Sequence, residues 1–381
     1  MMGTHALTRK CLLAAAGALI VLVAGLSAED LLVAPRDWPM FRGNPRQTGV
    51  ADSGLPKNLE IRWTFKAKDS IEGTAAIVGN TVYVGSLDEH LYALDLTTGQ
   101  AKWNSKIGPI EAAVTVRGDR VYVGDGDGTF HCLDAATGKP HWTFKTDAEI
   151  KSGANFAGEN VLFGSGDENL YCLSKDGKLL WKFKVPGGPV LGTPAVIGAR
   201  TFAAGCDSSL HVIDTATGKE VGTPLDLGGQ VGATVAVAGN ELFVGTMSSQ
   251  VLAVDWKKPD ILWRFEAPEN HQPFFASPAL TEKLVIAASR DKRVYGLDRK
   301  SGQQVWSYLT KRKVESSPVV VGSRVFVGSQ DKFLYVLDLA SGNELQKIDL
   351  QAEITASPAV AGNCLVIGTT DGTIYCLGAK K

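Results

Sequence analysis

The chain has 381 residues, of which 21% are charged, with 42 glycines and a formal charge of −1. That near-neutral balance removes nucleic acid as a global partner, because phosphate recognition needs a basic surface. Many glycines at low charge point to tight turns between buried strands and away from disorder.

The N-terminus reads as an export signal. Arg9 and Lys10 precede the apolar run CLLAAAGALIVLVAGL, and the small residues Ser27-Ala28 follow it. A positive start, an apolar middle and a small-residue exit assign residues 1–28 to a signal peptide. An uncleaved membrane anchor is the alternative, since the run is close to the shortest that spans a bilayer. A lipid-anchored form would need a cysteine just after the run, but Cys11 stands at its start. The chain is therefore expected in the periplasm or cell envelope, touching membrane only through an uncleaved N-terminus or a partner. Residues 29–56 form a lead-in containing DWPMFRGNPRQTGV. It is expected to brace the base or side of the domain that follows, with Trp38 and Phe41 buried.

Residues 57–381 repeat one phrase eight times, with starts at Ile71, Ile110, Ile150, Val190, Val231, Phe274, Val314 and Ile354. A spacing of about 40 residues is that of propeller blades. The first copy divides into the strands EGTAAIV, TVYVGS, LYALD and AKWNSKI, with turns at Gly79-Asn80 and Thr97 to Gly99. No window sustains a helical period. The eighth copy stops after its third strand, at CLGAKK, and LEIRWTFKAKD (59–69) matches the fourth-strand phrase PHWTFKTD. The predicted fold is all-β: an eight-bladed β-propeller of four-stranded antiparallel blades. An N-terminal strand pairing in the last blade closes the ring and leaves no free edge. Seven blades plus a degenerate unit is the alternative.

The turn CLDAATGKPHW (132–142) recurs in worn copies. Asp134 can accept backbone N–H bonds across the turn, and Gly138 supplies positive φ. Trp142 is large enough to cover the gap to the next blade, burying up to ~200 Å². Asp95, Gly99 and Trp103 are the first copy; Trp63, Trp181, Trp263 and Trp306 hold the same place, where Gly222 and Gln346 replace the tryptophan. A residue type present in every blade cannot belong to one central cofactor, so these are structural. His131 and His211 stand where other blades have Tyr92, Tyr171, Tyr295, Tyr335 and Tyr375, and read as packing variants. Cys132, Cys172, Cys206, Cys364 and Cys376 contain no CxxC and no adjacent pair. Three of them share one repeat position and read as small core residues.

On these features the chain resembles the PQQ-like β-propeller superfamily across 37–381. Its compact size and lack of insertions are similar to the BamB-like branch, the propeller subunits of the outer-membrane β-barrel assembly machinery. That resemblance implies a non-catalytic scaffold for protein–protein interaction in the envelope, with outer-membrane assembly components as partners. The lead-in also resembles that of quinoprotein dehydrogenases. Those enzymes hold pyrroloquinoline quinone (PQQ) between a tryptophan and a vicinal disulfide, with Ca²⁺ on carboxylate and amide side chains and an aspartate base nearby. The vicinal cysteines are absent here and the inter-strand loops are short, so no catalytic, metal or cofactor residue is assigned. PQQ with Ca²⁺ enters only under the alternative, a quinoprotein dehydrogenase or a propeller that binds a small ligand or carbohydrate.

The inter-blade loops and the turns between second and third strands share one face of a propeller. Glu72, Glu111, Asp125 and Asp127 bring negative charge to it from blades one and two. Arg290, Lys292, Arg293, Lys311, Arg312, Lys313 and Lys332 bring positive charge from blades six and seven. The expected result is a docking face of opposite signs that steers a protein partner to a monomeric ring; polar turns clustered by chance are the other reading. The insertion APENHQPFF (267–275) opens on the same face. There Phe274 is expected in the core, and Phe275 with His271 is either a binding anchor or part of a self-packed loop.

Overall fold

A computed structural model describes residues 37–268 and 271–380. The expected export signal, residues 29–36 of the lead-in, and Glu269-Asn270 of the blade-six insertion lie outside the described residues. The described residues form eight antiparallel blades and no helix. In blade two the strands run Thr115–Arg117, Arg120–Gly124, Thr129–Asp134 and Pro140–Lys145 from the channel outward; A to D denote these four positions in every blade. The interiors of B and C are buried on both faces, because a blade stacks on each side of them. Outer strand D instead alternates exposed and half-buried residues. This is why the sequence shows apolar runs in the middle of each repeat and alternation at its end.

Glu60–Lys66 supplies strand D of the last blade. It pairs with Thr373–Gly378, with Thr64 opposite Tyr375 and Phe65 opposite Ile374. The ring has eight complete blades.

The lead-in lies inside the base of the ring. Trp38 exchanges two backbone bonds with Ile77 of blade one, at 2.7 and 2.8 Å. The carbonyls of Pro39, Pro45, Arg46, Thr48 and Gly49 then accept from Val116, Val196, Val237, Leu280 and Val320. Blade three joins through Asn155 Nδ2, which donates to Pro45 O at 2.7 Å. The coil ends as Val50–Ala51, a parallel fifth strand beside Val319–Val321. Amides on the channel side of the A strands would otherwise lack acceptors, and the coil satisfies them in turn. Trp38 is buried, as expected. Phe41 differs from expectation: it is half-buried, because the inner side of the coil faces the channel and its ring lines that space.

A second device stitches the A strands together. The hydroxyls of Thr193, Thr234, Ser277, Ser317 and Ser357 accept from the amides of Gly153, Thr193, Thr234, Ser277 and Ser317, each at 2.7–3.0 Å. Each bond therefore crosses from one blade to the next. Cys132, Cys172 and Cys376 are fully buried, and burial pushes the Cys132 and Cys172 thiols up to about 11 and about 12.

Candidate functional site

The repeated turn is joinery. Asp134 Oδ1 accepts from Thr137 N at 2.8 Å and Thr137 Oγ1 at 2.6 Å, which holds its carboxyl below the usual range. Asp95, Asp214, Asp298 and Asp338 are likewise low, through bonds to Thr98, Thr217, Ser301 and Ser341. On strand D a bulge inserts one residue before the tryptophan: Pro140 faces Leu133 and Trp142 faces Cys132, with His141 extra. The bulge re-aims the ring toward the neighbouring blade. There each indole N–H donates to a turn carbonyl: Trp63 to Leu96, Trp103 to Ala135, Trp142 to Lys175, Trp181 to Thr215, Trp263 to Arg299 and Trp306 to Leu339, at 2.8–3.0 Å.

The turn glycine has a second job that sequence reasoning missed. Gly138 has φ +70°, and a Cβ placed on it would come within 2.5 Å of the Trp103 ring. The same holds for Gly342 under Trp306 and Gly218 under Trp181. Each indole rests on the glycine of the next blade. A signal for this stood in the sequence: where Gly222 replaces the tryptophan of blade four, Pro259 replaces the glycine of blade five.

The B–C turns correct one expectation. Asp125 is buried and accepts from Thr129 N at 2.7 Å, with His131 Nε2 also at 2.7 Å. Its carboxylate serves the turn from inside, so Asp125 does not belong to a docking face. Asp88, Asp167 and Asp331, which stand two places later in their repeats than Asp125, bond Tyr92, Tyr171 and Tyr335 four residues on, at 2.6–2.7 Å. His131 and His211 take the tyrosine's place as partner to the aspartate; His211 reaches Asp207 through Nε2 and Glu220 through Nδ1, at 2.7 and 2.6 Å.

The loop face holds most of the other residues. Gly126 N bonds Pro109 O and Gln330 N bonds Lys313 O, so the B–C turns and the inter-blade loops meet there. Asp127, His271, Lys292, Lys311, Arg312, Lys313 and Lys332 are exposed, and Arg293 is half-buried beside Ser307. Arg312 is hydrogen-bonded to Glu353. Glu72, Glu111, Phe275 and Arg290 are half-buried. Phe274 is core, and Arg290 stacks 3.9 Å above the Phe275 ring while bonding Glu315.

Glu72, Glu111, Glu315, Lys151 and Phe275 line a channel cavity of about 180 Å³, with Phe41 among its walls and the hydroxyl ring deeper in. Lys151 bonds Glu111 at 2.7 Å, which raises the lysine. Among the described residues no cationic side chain is ion-paired with Glu72; burial, then the nearby Glu111, pushes its carboxyl up. The quinone that this fold family implies does not fit these residues. It is a tricarboxylate, and three glutamates face the space while its one lining cation, Lys151, is already taken by Glu111. The cavity is also below the ~300–1,000 Å³ usual for organic ligands. No group of three or more His, Cys, Asp or Glu among the described residues is placed to hold a metal.

With this geometry in place, comparison with known families decides the kinship. The family model for outer membrane protein assembly factor BamB matches residues 57–114, 104–153, 148–221 and 206–377. The chain belongs to the BamB family. A BamB of Nitrosomonas eutropha is 28% identical over 133 residues, 34% of this chain and 31% of that protein. The chain thus spans about a third of the length of that curated BamB. The crystal structure of BamB from Moraxella catarrhalis has a TM-score of 0.71 at 19% identity, covering 85% of this chain and 98% of that one. Quinohemoprotein alcohol dehydrogenase from Comamonas testosteroni has a TM-score of 0.78 at 14% identity, covering 93% and 82%. These structural likenesses carry the fold alone. The BamB family shares its ring with oxidoreductases, so function is argued from the site.

Proposed function

We propose that the chain is an exported, non-catalytic scaffold that binds partner proteins in the cell envelope through its loop face. Components of outer-membrane protein assembly are the partner class that its BamB kinship suggests. One observation carries the reading: an arc of four exposed lysines on blades six and seven. Lys292 and Lys332 lie on the two B–C turns, and Lys311 and Lys313 on the loop between the blades. Among the described residues none of the four is ion-paired, whereas the neighbouring Arg290 and Arg312 are. Grouped ammonium charges repel one another. That repulsion is offset when an acidic protein surface docks, and such a field acts first on the association rate. Asp127, exposed across the ring, gives the face its opposite sign.

Changing Lys292, Lys311, Lys313 and Lys332 together to Glu tests the reading. Envelope proteins captured by the wild-type chain at low salt are expected to be lost, and wild-type capture should weaken as salt rises. Capture that is unchanged by the four substitutions would overturn it.

A further inference from the structure

Each blade junction has to be closed, and the ring closes seven of its eight in two ways. Six carry the indole described above. At the junction of blades seven and eight, Gln346 stands in the tryptophan's place and bonds Leu59 both ways, at 2.9 and 2.7 Å. Arg324 holds the carbonyls of Leu55, Pro56 and Lys57 there, and Leu59 is buried. A peptide from outside the blade therefore fills a gap that lacks an indole.

The junction of blades four and five has neither closure. Gly222 replaces the tryptophan, and strand D shrinks to Leu225–Asp226. The Trp256 carbonyl, equivalent in the repeat to those that accept indoles, meets no indole. The Trp256 ring of blade five instead leans onto Phe202 of blade four, an edge contact at 5.3 Å, with Nε1 bonded to Gly239 O at 3.0 Å. What is left is a groove of about 730 Å³, walled by Val212, Val221, Trp256 and Pro259. Its two charged wall residues are both cationic: Arg200, paired with Asp214 at 2.6 Å, and Lys257.

We infer that this groove binds a peptide segment of a partner protein that presents one aromatic anchor flanked by acidic residues. The inference rests on the scaffold reading and adds to it a second contact, on the wall of the ring. An aromatic anchor fits because aromatic rings fill the equivalent gaps elsewhere and bury ~150–250 Å² each. The anchor takes a different pose from the internal indoles, since Pro259 stands where they need glycine and fixes φ near −65°. Carboxylates beside the anchor complement Lys257, for which no acid lines the groove.

The test uses the full chain and a fluorescein-labelled peptide, acetyl-Asp-Glu-Trp-Glu-Asp-amide, followed by anisotropy. Saturable binding is expected, at least ten-fold weaker for the peptide with Trp→Ala. The double variant Gly222→Trp with Pro259→Gly restores the missing joint and should abolish binding. Lys257→Glu, which leaves the core alone, should weaken it several-fold and serves if the double variant does not fold. No saturable binding to the wild type, or binding indifferent to the peptide's tryptophan or to both variants, overturns the inference. If the peptide binds as described while the wild type captures no envelope protein, the groove stands and the scaffold reading fails.

Discussion

Blades six and seven meet differently from blades four and five. At the first junction Trp306, almost fully buried, bonds Leu339 O at 2.9 Å and rests on Gly342. At the second the motif indole and the glycine it would rest on are both replaced, Trp256 of blade five covers part of the gap, and a groove stays open beside it. The repeat motif is therefore a two-blade device: its tryptophan is on one repeat and its glycine on the next. Losing one member releases the other, which is why Gly222 and Pro259 occur together. Departures from the repeat mark where something other than a blade covers the ring.

The sharpest way to break the comparison is Trp306→Ala. It should cost about 3–5 kcal/mol in chemical denaturation, as large buried aromatics do; a loss below ~1 kcal/mol would mean the indole covers little. Gln346→Ala removes two bonds to Leu59 at the junction closed by peptide. The expected cost is about 1–2 kcal/mol, with faster proteolysis between residues 52 and 59. Equal protease sensitivity would show that the lead-in is held elsewhere. Filling the open junction should go the other way, so Gly222→Trp with Pro259→Gly should keep or raise the melting temperature.

The smallest effect lies at the channel mouth. The folded state holds a proton on Glu72 more tightly than the unfolded chain does, so stability falls as pH rises through the window just above the ordinary glutamate range. Glu72→Gln should therefore melt slightly higher than wild type at pH 7, with the gap closing below pH ~4. A gap that widens toward acid pH would contradict the assigned cause.

Much of the architecture was legible because propeller blades repeat. Eight apolar starts counted the blades, and the match of LEIRWTFK to PHWTFKTD located the strand that closes the ring. The site was less legible, because its geometry joins residues from different copies. Asp125 looked like a surface acid until His131 and Thr129 closed on it from inside the turn. The glycine's positive φ is a property of one residue, but its role as a platform needs the indole of the blade before. The serines and threonines ahead of Pro194, Pro278, Pro318 and Pro358 looked unremarkable, since a hydroxyl that bonds the next blade leaves no periodic trace. Hydrophobicity favours burial of Phe41, yet the coil leaves its ring half-buried and lining the channel.

The central claim is that Trp306 and Gly342 form one joint across two blades. A double-mutant cycle with Trp306→Ala and Gly342→Ala measures this directly. Gly342→Ala alone should be costly, since its Cβ would meet the indole at 2.5 Å in addition to the strain of φ +71°. In the Trp306→Ala background only the backbone strain remains, so a coupling of about 1 kcal/mol or more is expected. Additive costs would contradict the account, because the glycine would then serve only its own turn.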